Sequence, residues 1–210
     1  MGETPSNRVK RVPKRGHYNK EVILDILKSN SYCHISFIYE GYPMLIPTAY
    51  GLKGDYIYLH GSMASRMMRS LKEGIDLTFC VTEMNGLVLA KSAFHHSMNY
   101  RSVVLFGKAR FVEDIKEKIE GLNYIVEHLV PGRLDEIRPM SDKEIKGTML
   151  LKLKIDNASA KIRDEGANDD ASDANLPIWT GVIPINRTFD NPIPEDENLP
   201  LPSSVIKMIQ

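Results

Sequence analysis

The alternation of apolar and polar residues divides much of the chain into short strands. Three runs in the first third, 32–39, 44–50 and 56–60, each fit a strand with one buried face. Glu40-Gly41 separates the first two, and a glycine-containing segment at 51–55 separates the second two. The pattern therefore predicts an antiparallel meander.

Further strands are predicted in the middle of the chain. The runs 75–82 and 87–93 flank Met84-Asn85-Gly86, and Asn-Gly is a strong signal for a tight turn. A long strand is expected over 100–112. Residues 148–155 alternate, with apolar side chains directed inward and Lys152 and Lys154 directed outward.

Helices are predicted where apolar residues recur at helical spacing. One helix begins after Asn19 and runs to about residue 29, and a short one covers about 62–72. The longest begins at a capping box of Asp114 and Glu117, and a second box, Ser141 with Glu144, begins another short helix. The apolar stripe expected on the longest helix comprises Ile115, Ile119, Leu122, Val126 and Leu129.

Hairpin-linked strands without a strand–helix repeat favour a mainly β fold, a closed or nearly closed antiparallel barrel with peripheral helices. A single domain is expected over 1–185, including a basic, extended arm at 1–17. The acidic run within 163–175 predicts a mobile loop, and the proline-rich, acidic residues 186–210 predict an extended tail.

Charge is balanced over the chain, with 27 basic and 27 acidic residues among 210. No overall field attracts nucleic acid or an anionic membrane, so an anion site must be local. Six basic residues between Arg8 and Lys20 leave an RNA-binding arm as a weak alternative, because the aromatic residues of such surfaces are missing there. No nucleic-acid partner is therefore expected.

Cys33 and Cys80 both lie in apolar strand patterns, where a free thiol behaves as a small buried apolar group. Their spacing fits neither a zinc site nor a disulfide framework, which indicates a reducing compartment. Because no stretch approaches membrane-spanning length, we expect a cytoplasmic protein without a membrane partner.

Two polar segments are candidates for binding an anion. His60-Gly61-Ser62 leads through Ser65 to Arg66 at the start of a helix, where unpaired backbone N–H groups and a guanidinium can face phosphate. Asn99-Tyr100-Arg101-Ser102 lies in the donor-rich run 94–104. The two segments are expected to bracket a phosphate, although a capped helix with a solvated arginine and a strand start with an exposed cation fit equally.

These residues resemble those of the pyridoxamine 5'-phosphate oxidase-like FMN-binding split-barrel family, especially the branch related to nitroimidazole-resistance reductases. The resemblance covers most of residues 7–185. It implies an antiparallel Greek-key split barrel that works as a homodimer with FMN at the subunit interface. The segments that carry it are 46–50, 59–66, 86–90, 94–107 and 176–184.

By this resemblance, Ser65 and Arg66 hold the flavin phosphate with backbone help from Gly61 and Ser62. The second segment adds Asn99, Tyr100, Arg101 and Ser102, and His60 is either near the phosphate or satisfied at the strand end. The flavin ring would lie along Pro47-Thr48-Ala49-Tyr50. Trp179, the only tryptophan, either covers the flavin or plugs the barrel end as part of the core.

Catalytic residues are not identified by the sequence, which has no Ser–His–acid order, P-loop or dinucleotide fingerprint. No metal site is expected, because the adjacent His95 and His96 have no accompanying ligand pattern. Chemistry must therefore come with the cofactor.

The function expected is that of an FMN-dependent oxidoreductase that passes electrons or hydride to a small acceptor such as a nitroaromatic or a quinone. True pyridoxamine-phosphate oxidation is disfavoured, because Trp179 is followed by 180–185 without the Arg-His motif of that enzyme. The alternative is a non-catalytic flavin- or haem-binding carrier or sensor, with His60, His95 or His96 as the haem ligand.

Overall fold

Two antiparallel sheets form the protein, whose computed structural model describes residues 2–210. Within these residues the larger sheet has the order β1-β10-β7-β6-β2-β3, with β11 paired to β6, and the smaller has the order β4-β5-β9-β8. The strands are β1 (Gly16–His17), β2 (Tyr32–Tyr39), β3 (Tyr42–Ala49), β4 (Gly51–Lys53), β5 (Tyr56–Ser62), β6 (Asp76–Leu89), β7 (Ser97–Lys108), β8 (Arg110–Phe111), β9 (Thr148–Lys154), β10 (Ala158–Arg163) and β11 (Gly181–Pro184).

Helices pack around the outside of the sheets and close their ends. They are α1 (Lys20–Lys28), α2 (Arg66–Lys72), α3 (Ile115–Leu129), α4 (Asp142–Gly147) and α5 (Ser203–Ile209). This mainly β, antiparallel arrangement confirms the predicted fold class.

The turn between β2 and β3 forms where the sequence predicts it. Glu40 and Gly41 have φ values of 50° and 83°. Positive φ at both central residues is the geometry that lets a two-residue turn follow the twist of its strands. The hairpin then aligns Ile35 with Ile46 and Cys33 with Thr48.

The main core lies between the two sheets and continues under α1. Alternate residues of β2 and β6, including Ile35 and Phe79, are fully buried, as are Leu105 of β7 and Leu151 of β9. Cys33 belongs to this core, and burial raises the pKa of its thiol. Cys80 does not: it pairs with His34 on the opposite face of the sheet and is half-buried, so the prediction for this cysteine was wrong.

Helix α3 packs on the smaller sheet through a face that only partly matches the predicted stripe, since Leu122 and Leu129 pack there but Ile115 does not. Its buried residues include Gly121, Leu122 and Ile125, whereas Ile115 of the predicted stripe is 55% exposed. A Cβ built on Gly51 of β4 would lie 2.7 Å from the Ile125 backbone nitrogen. The close approach of helix and strand backbones at glycines, rather than the largest apolar residues, therefore sets the buried face.

The predicted turn at Met84-Asn85-Gly86 is wrong, because β6 runs unbroken through it with a β-bulge between Met84 and Gly86. Strand β11 pairs alongside, and a Cβ on Gly86 would lie 3.0 Å from Val182. The glycine thus admits a neighbouring strand instead of reversing the chain. The reversal lies between β6 and β7, where a short 3-10 helix covers Ala93–His95.

The predicted strand 100–112 is divided between the two sheets. It breaks at Ala109, so that β7 belongs to the larger sheet and β8 to the smaller one. Strand β10, which was not predicted, pairs with β7 on the other side. The chain therefore passes between the sheets four times, after β3, β5, β7 and β9, and these crossings join the sheets around the main core.

The terminal and loop segments make specific contacts with the rest of the protein. In the N-terminal arm, Asn7 is 2% exposed and its Nδ2 donates to the Ala158 carbonyl at 3.2 Å. In the acidic loop, Asp169 accepts from the Lys91 backbone N–H at 2.7 Å. The tail ends in α5, where the Ser204 backbone N–H donates to Glu136 at 2.9 Å.

Candidate functional site

The turn from β5 into α2 forms the first predicted anion-binding segment. The helix begins at Arg66 rather than near Ser62, because Ser65 is its N-cap and accepts from the Met68 N–H at 3.4 Å. Ser62 is instead the last residue of β5. The first-turn N–H groups of a helix have no partner within the helix and point along its axis.

Gly61 explains why this turn lies so close to the sheet. A Cβ at this position would lie 2.7 Å from Met68 Cγ. Met68 is fully buried, so α2 packs directly over the β5 backbone. The contact fixes Ser65 and Arg66 relative to His60 and Gly61.

Arg66 carries a charge that no carboxylate neutralises among residues 2–210. Its guanidinium carbon lies 5.3 Å from the centre of the Tyr39 ring, at the end of β2. Arginine stacks favourably on aromatic faces while leaving its N–H groups available for an anion. The β2–β3 hairpin and the β5–α2 turn therefore meet at this cation.

His60 provides a buried polar atom without a partner in the same place. Its Nδ1 is inaccessible and makes no hydrogen bond within the described chain. Burial lowers the pKa of His60, so the ring is neutral at pH 7. A buried unpaired nitrogen is unfavourable, which points to a ligand that would satisfy it.

Among residues 2–210, strand β3 is an edge of the larger sheet, with β2 as its only partner in that sheet. Backbone groups of alternate residues along 47–49 therefore face away from β2 and are available to a ligand, although Pro47 can offer only its carbonyl. Tyr50 differs, because its side chain is fully buried and its hydroxyl donates to the Leu27 carbonyl at 2.6 Å. Tyr50 can therefore take part in binding through its backbone but not through its side chain.

The second predicted segment has its polar side chains engaged within the protein. Asn99 is 5% exposed, and its Oδ1 accepts from the Arg163 guanidinium and from the Glu165 N–H. Arg101 forms ion pairs with Asp25 at 2.9 Å and with Glu83 at 3.3 Å.

The two segments follow strands of different sheets. The first lies at the end of β5 in the smaller sheet, whereas Ser102 of the second pairs with Thr82 of β6 in the larger sheet. Within the larger sheet, three inter-strand steps of roughly 14 Å in total separate β7 from β3. Tyr100 and Ser102 are half-buried and lie on the same outer face of the sheet. Bracketing of one phosphate by the two segments stays a prediction.

Trp179 is 66% exposed, which excludes the interpretation that it plugs the barrel end. Its ring lies against Gly181, where a Cβ would be only 2.8 Å away. It belongs to a group of exposed apolar side chains at the distal ends of β6, β7 and β11. The other members are Met84, Leu87, Phe94, Met98, Ile178 and Ile183.

The adjacent histidines point to different partners. His95 Nε2 lies 3.2 Å from Asp170, and His96 Nδ1 lies 2.8 Å from the Ser92 carbonyl oxygen. No cluster of three or more metal-ligating side chains occurs within residues 2–210. Over the same range no helix is long and apolar enough to cross a membrane.

The buried carboxylate of Glu83 is a site feature that sequence reasoning missed. It is 8% exposed and accepts from Ser29 and from Asn30 Nδ2, the latter at 2.9 Å. The Asn30 carbonyl in turn lies 2.7 Å from His128 Nε2. Nothing in the local pattern Thr82-Glu83-Met84 distinguishes this residue from a solvated strand charge.

The fold and the β5–α2 turn define a split-barrel protein, and comparison with known proteins gives the family. Residues 19–162 match the family model described as pyridoxamine 5'-phosphate oxidase. The chain therefore belongs to this family, which confirms the predicted resemblance. No curated protein matches the chain.

Three solved structures illustrate the similarity. The flavocytochrome Anf3 from Azotobacter vinelandii is 35% identical, with 98% of this chain and 97% of that one covered and a TM-score of 0.92. The FAD and heme binding protein from Mycobacterium smegmatis is 30% identical, with 93% and 97% covered and a TM-score of 0.90. A putative 5-nitroimidazole antibiotic resistance protein from Bacteroides thetaiotaomicron, 22% identical with 70% and 86% covered and a TM-score of 0.60, shares the fold.

Proposed function

We propose that this protein is a flavin-dependent redox protein that also binds haem. Flavin binding is supported by two features of the β5–α2 turn. The charge of Arg66 at the start of α2 has no carboxylate partner among residues 2–210, and the nearby Nδ1 of His60 is unpaired. Two structures at least 30% identical over nearly the whole chain support both cofactors, one being named a flavocytochrome and the other a FAD and heme binding protein.

The flavin phosphate would be held by Arg66 and Ser65 with the N–H groups of the first turn of α2. These groups supply the positive charge and donors that phosphate requires. The ring would lie along the free edge of β3 at 47–50, where backbone groups orient it. When bound, flavin supplies the hydride and electron chemistry that the protein side chains lack.

The flavin itself is FMN by resemblance to the family, whereas the Mycobacterium relative is named for FAD. Both share the phosphate next to the ribityl chain, so the contacts at Arg66 serve either one. Chromatography of the flavin released on denaturation distinguishes the two.

A homodimer is part of the proposal, because the single chain leaves a broad apolar surface on β2 and β3. Ile38, Tyr42 and Leu45 are 60%, 72% and 64% exposed. Exposed patches of this kind usually mark an interface. In the proposed dimer, a second copy would bring its own Tyr100 or Trp179 toward Arg66.

For haem, the three predicted ligands differ in availability. His95 uses Nε2 to contact Asp170, and His60 has a buried, unpaired Nδ1. His96 contacts the Ser92 carbonyl through Nδ1, an arrangement typical of metal-ligating histidines that leaves Nε2 for the iron. His60→Ala should separate the two roles proposed for His60. Loss of the Soret band with flavin retained would make His60 a haem ligand, and loss of flavin alone would place it beside the phosphate.

The proposed activity is transfer of electrons from reduced flavin to a small acceptor of the nitroaromatic or quinone type. NADH or NADPH is added anaerobically to the purified protein, flavin absorbance is followed, and the acceptor is then introduced. Bleaching followed by acceptor-dependent reoxidation is expected.

A flavin that stays oxidised, or is reoxidised no faster with acceptor, would favour the non-catalytic carrier or sensor. A colourless protein that does not take up added FMN or FAD would contradict flavin binding altogether.

A further inference from the structure

A concave basic surface lies on the outer face of the smaller sheet, away from the candidate flavin site. It encloses a cavity of about 390 Å³ that is lined by four basic side chains together with Tyr56 and Asp156. Cavities of 300 Å³ and above are large enough for small ligands. The four basic residues, called the basic pocket below, are Lys108, Arg110, Lys152 and Lys154.

Strand register brings like charges together in this pocket. Arg110 of β8 lies directly opposite Lys152 of β9, and Lys154 follows two residues later on the same face. Like charges opposite each other on neighbouring strands are destabilising. Because the whole chain has a net charge of zero, this concentration does not reflect a generally basic protein.

Nearby carboxylates neutralise the pocket only in part. Lys152 is paired with Glu117 at 2.6 Å, and Lys154 with Asp156 at 3.5 Å. Lys108 reaches Asp76 at 3.9 Å, where both side chains are well exposed and the pair is weak.

Arg110 remains without an ion pair in the described part of the chain. The pocket therefore retains positive charge and an arginine whose planar donors match phosphate oxygens. Its position is also distinct from the proposed flavin-phosphate site at the β5–α2 turn. Tyr56 and Ser62 stand at opposite ends of β5, about 20 Å apart at the usual strand rise.

We propose that the basic pocket binds a phosphate-bearing small molecule, with Arg110 as the principal contact and Lys108 and Lys154 completing the charge. Inorganic pyrophosphate is the probe that the geometry suits, because its charge can reach cations on neighbouring strands. Inorganic phosphate should bind more weakly to the same residues.

The test is calorimetric titration of pyrophosphate into the cofactor-loaded protein in chloride buffer at constant ionic strength. Arg110→Gln should weaken binding about tenfold, the loss expected for a charge-assisted contact. Adding Lys154→Gln should weaken it further. The matched control is Lys143→Gln, an exposed lysine of α4 outside the pocket, which should leave binding unchanged.

Two further measurements distinguish an effect on the basic pocket from an effect on cofactor binding or on folded stability. Flavin and haem absorbance should be the same in Arg110→Gln as in the parent. The melting temperature of the ligand-free variant should be equal or higher, because a repulsion is removed. Pyrophosphate should raise the melting temperature of the parent protein and of Lys143→Gln more than that of Arg110→Gln.

The proposal is overturned if pyrophosphate fails to bind, or if sulfate at equal ionic strength gives the same heat. It is equally overturned if Arg66→Ala rather than Arg110→Gln abolishes binding, because the probe would then occupy the flavin phosphate site. Loss of cofactor or of stability in Arg110→Gln would show a role in the cofactor site or the fold instead.

Discussion

Arg66 and Arg101, which the sequence assigns to the same phosphate, have opposite surroundings. Arg66 lies over an aromatic ring without a carboxylate partner, whereas Arg101 bridges Asp25 and the buried Glu83. Two arginines in equally polar segments can thus have different roles. The nearest carboxylates decide whether an arginine can bind an anion or instead stabilises the fold.

The largest expected effect is on stability, in Arg101→Ala. Removing this cation leaves Glu83 buried with fewer partners, which should lower the free energy of unfolding by about 2–3 kcal/mol. Urea denaturation measures the change. Flavin content well below the melting temperature should be unaffected, and a variant of parental stability that has lost its flavin would reverse the assignment.

Arg66→Ala should have the complementary effect. Loss of a charge-assisted phosphate contact should weaken flavin binding by about 1.5–3 kcal/mol, roughly ten- to a hundredfold. Fluorescence titration of the flavin-free protein measures it, and the unfolding free energy of that form should be unchanged. Lys72→Ala, at the other end of α2, is the matched control. Equal flavin affinity in both variants would rule out the phosphate position.

A smaller effect should distinguish two helix caps. Ser65 and Ser141 both accept an N–H three residues along the chain, so replacing either by alanine should destabilise the protein by about 1 kcal/mol. Only Ser65→Ala should also weaken flavin binding, because only α2 starts at Arg66. If both variants bind flavin equally well, the hydroxyl of Ser65 acts solely as a cap.

The smallest effect expected is the contribution of His128, near Arg101, to the pH dependence of stability. His128 is linked to Glu83 through Asn30, and burial lowers its pKa despite the opposing contact with the Asn30 carbonyl. As the pH falls, the unfolded chain therefore binds a proton at His128 before the folded chain does. Stability should therefore fall as the pH drops below the unfolded histidine value of about 6.5.

His128→Gln should reduce this slope between pH 7 and 5, as measured by thermal unfolding. His60, whose pKa is also lowered by burial, contributes in the same direction and should retain its share in the variant. An unchanged slope would show that His128 does not titrate with folding.

Local patterns predict the elements of this fold where the cause is local. Glu40-Gly41 gives the β2–β3 turn, and Ser141 with Glu144 forms the expected capping box. Asn85-Gly86 misleads, because the glycine is needed for the approach of β11, which comes about a hundred residues later. Long-range strand pairing cannot be read from a dipeptide.

The candidate site was predictable to a similar degree. The β5–α2 turn and Arg66 follow from adjacent residues. Arg101 does not, since Asp25 and Glu83 reach it from α1 and β6 only after folding. A search over the whole strand for carboxylates in phase with apolar residues, as Glu83 is with Leu77, Phe79 and Val81 on β6, would have marked this partner in advance.

The glycine at position 51 has a consequence for the ancestry of this fold. Any side chain there would meet the backbone of residues 124 and 125 at less than 3 Å, so α3 could remain in place only if the strand or the helix moved. In related proteins where α3 keeps this position, glycine should be invariant at position 51 while neighbouring surface residues vary. An alignment of descendants in which alanine or larger residues are common there would imply that the helix has been displaced.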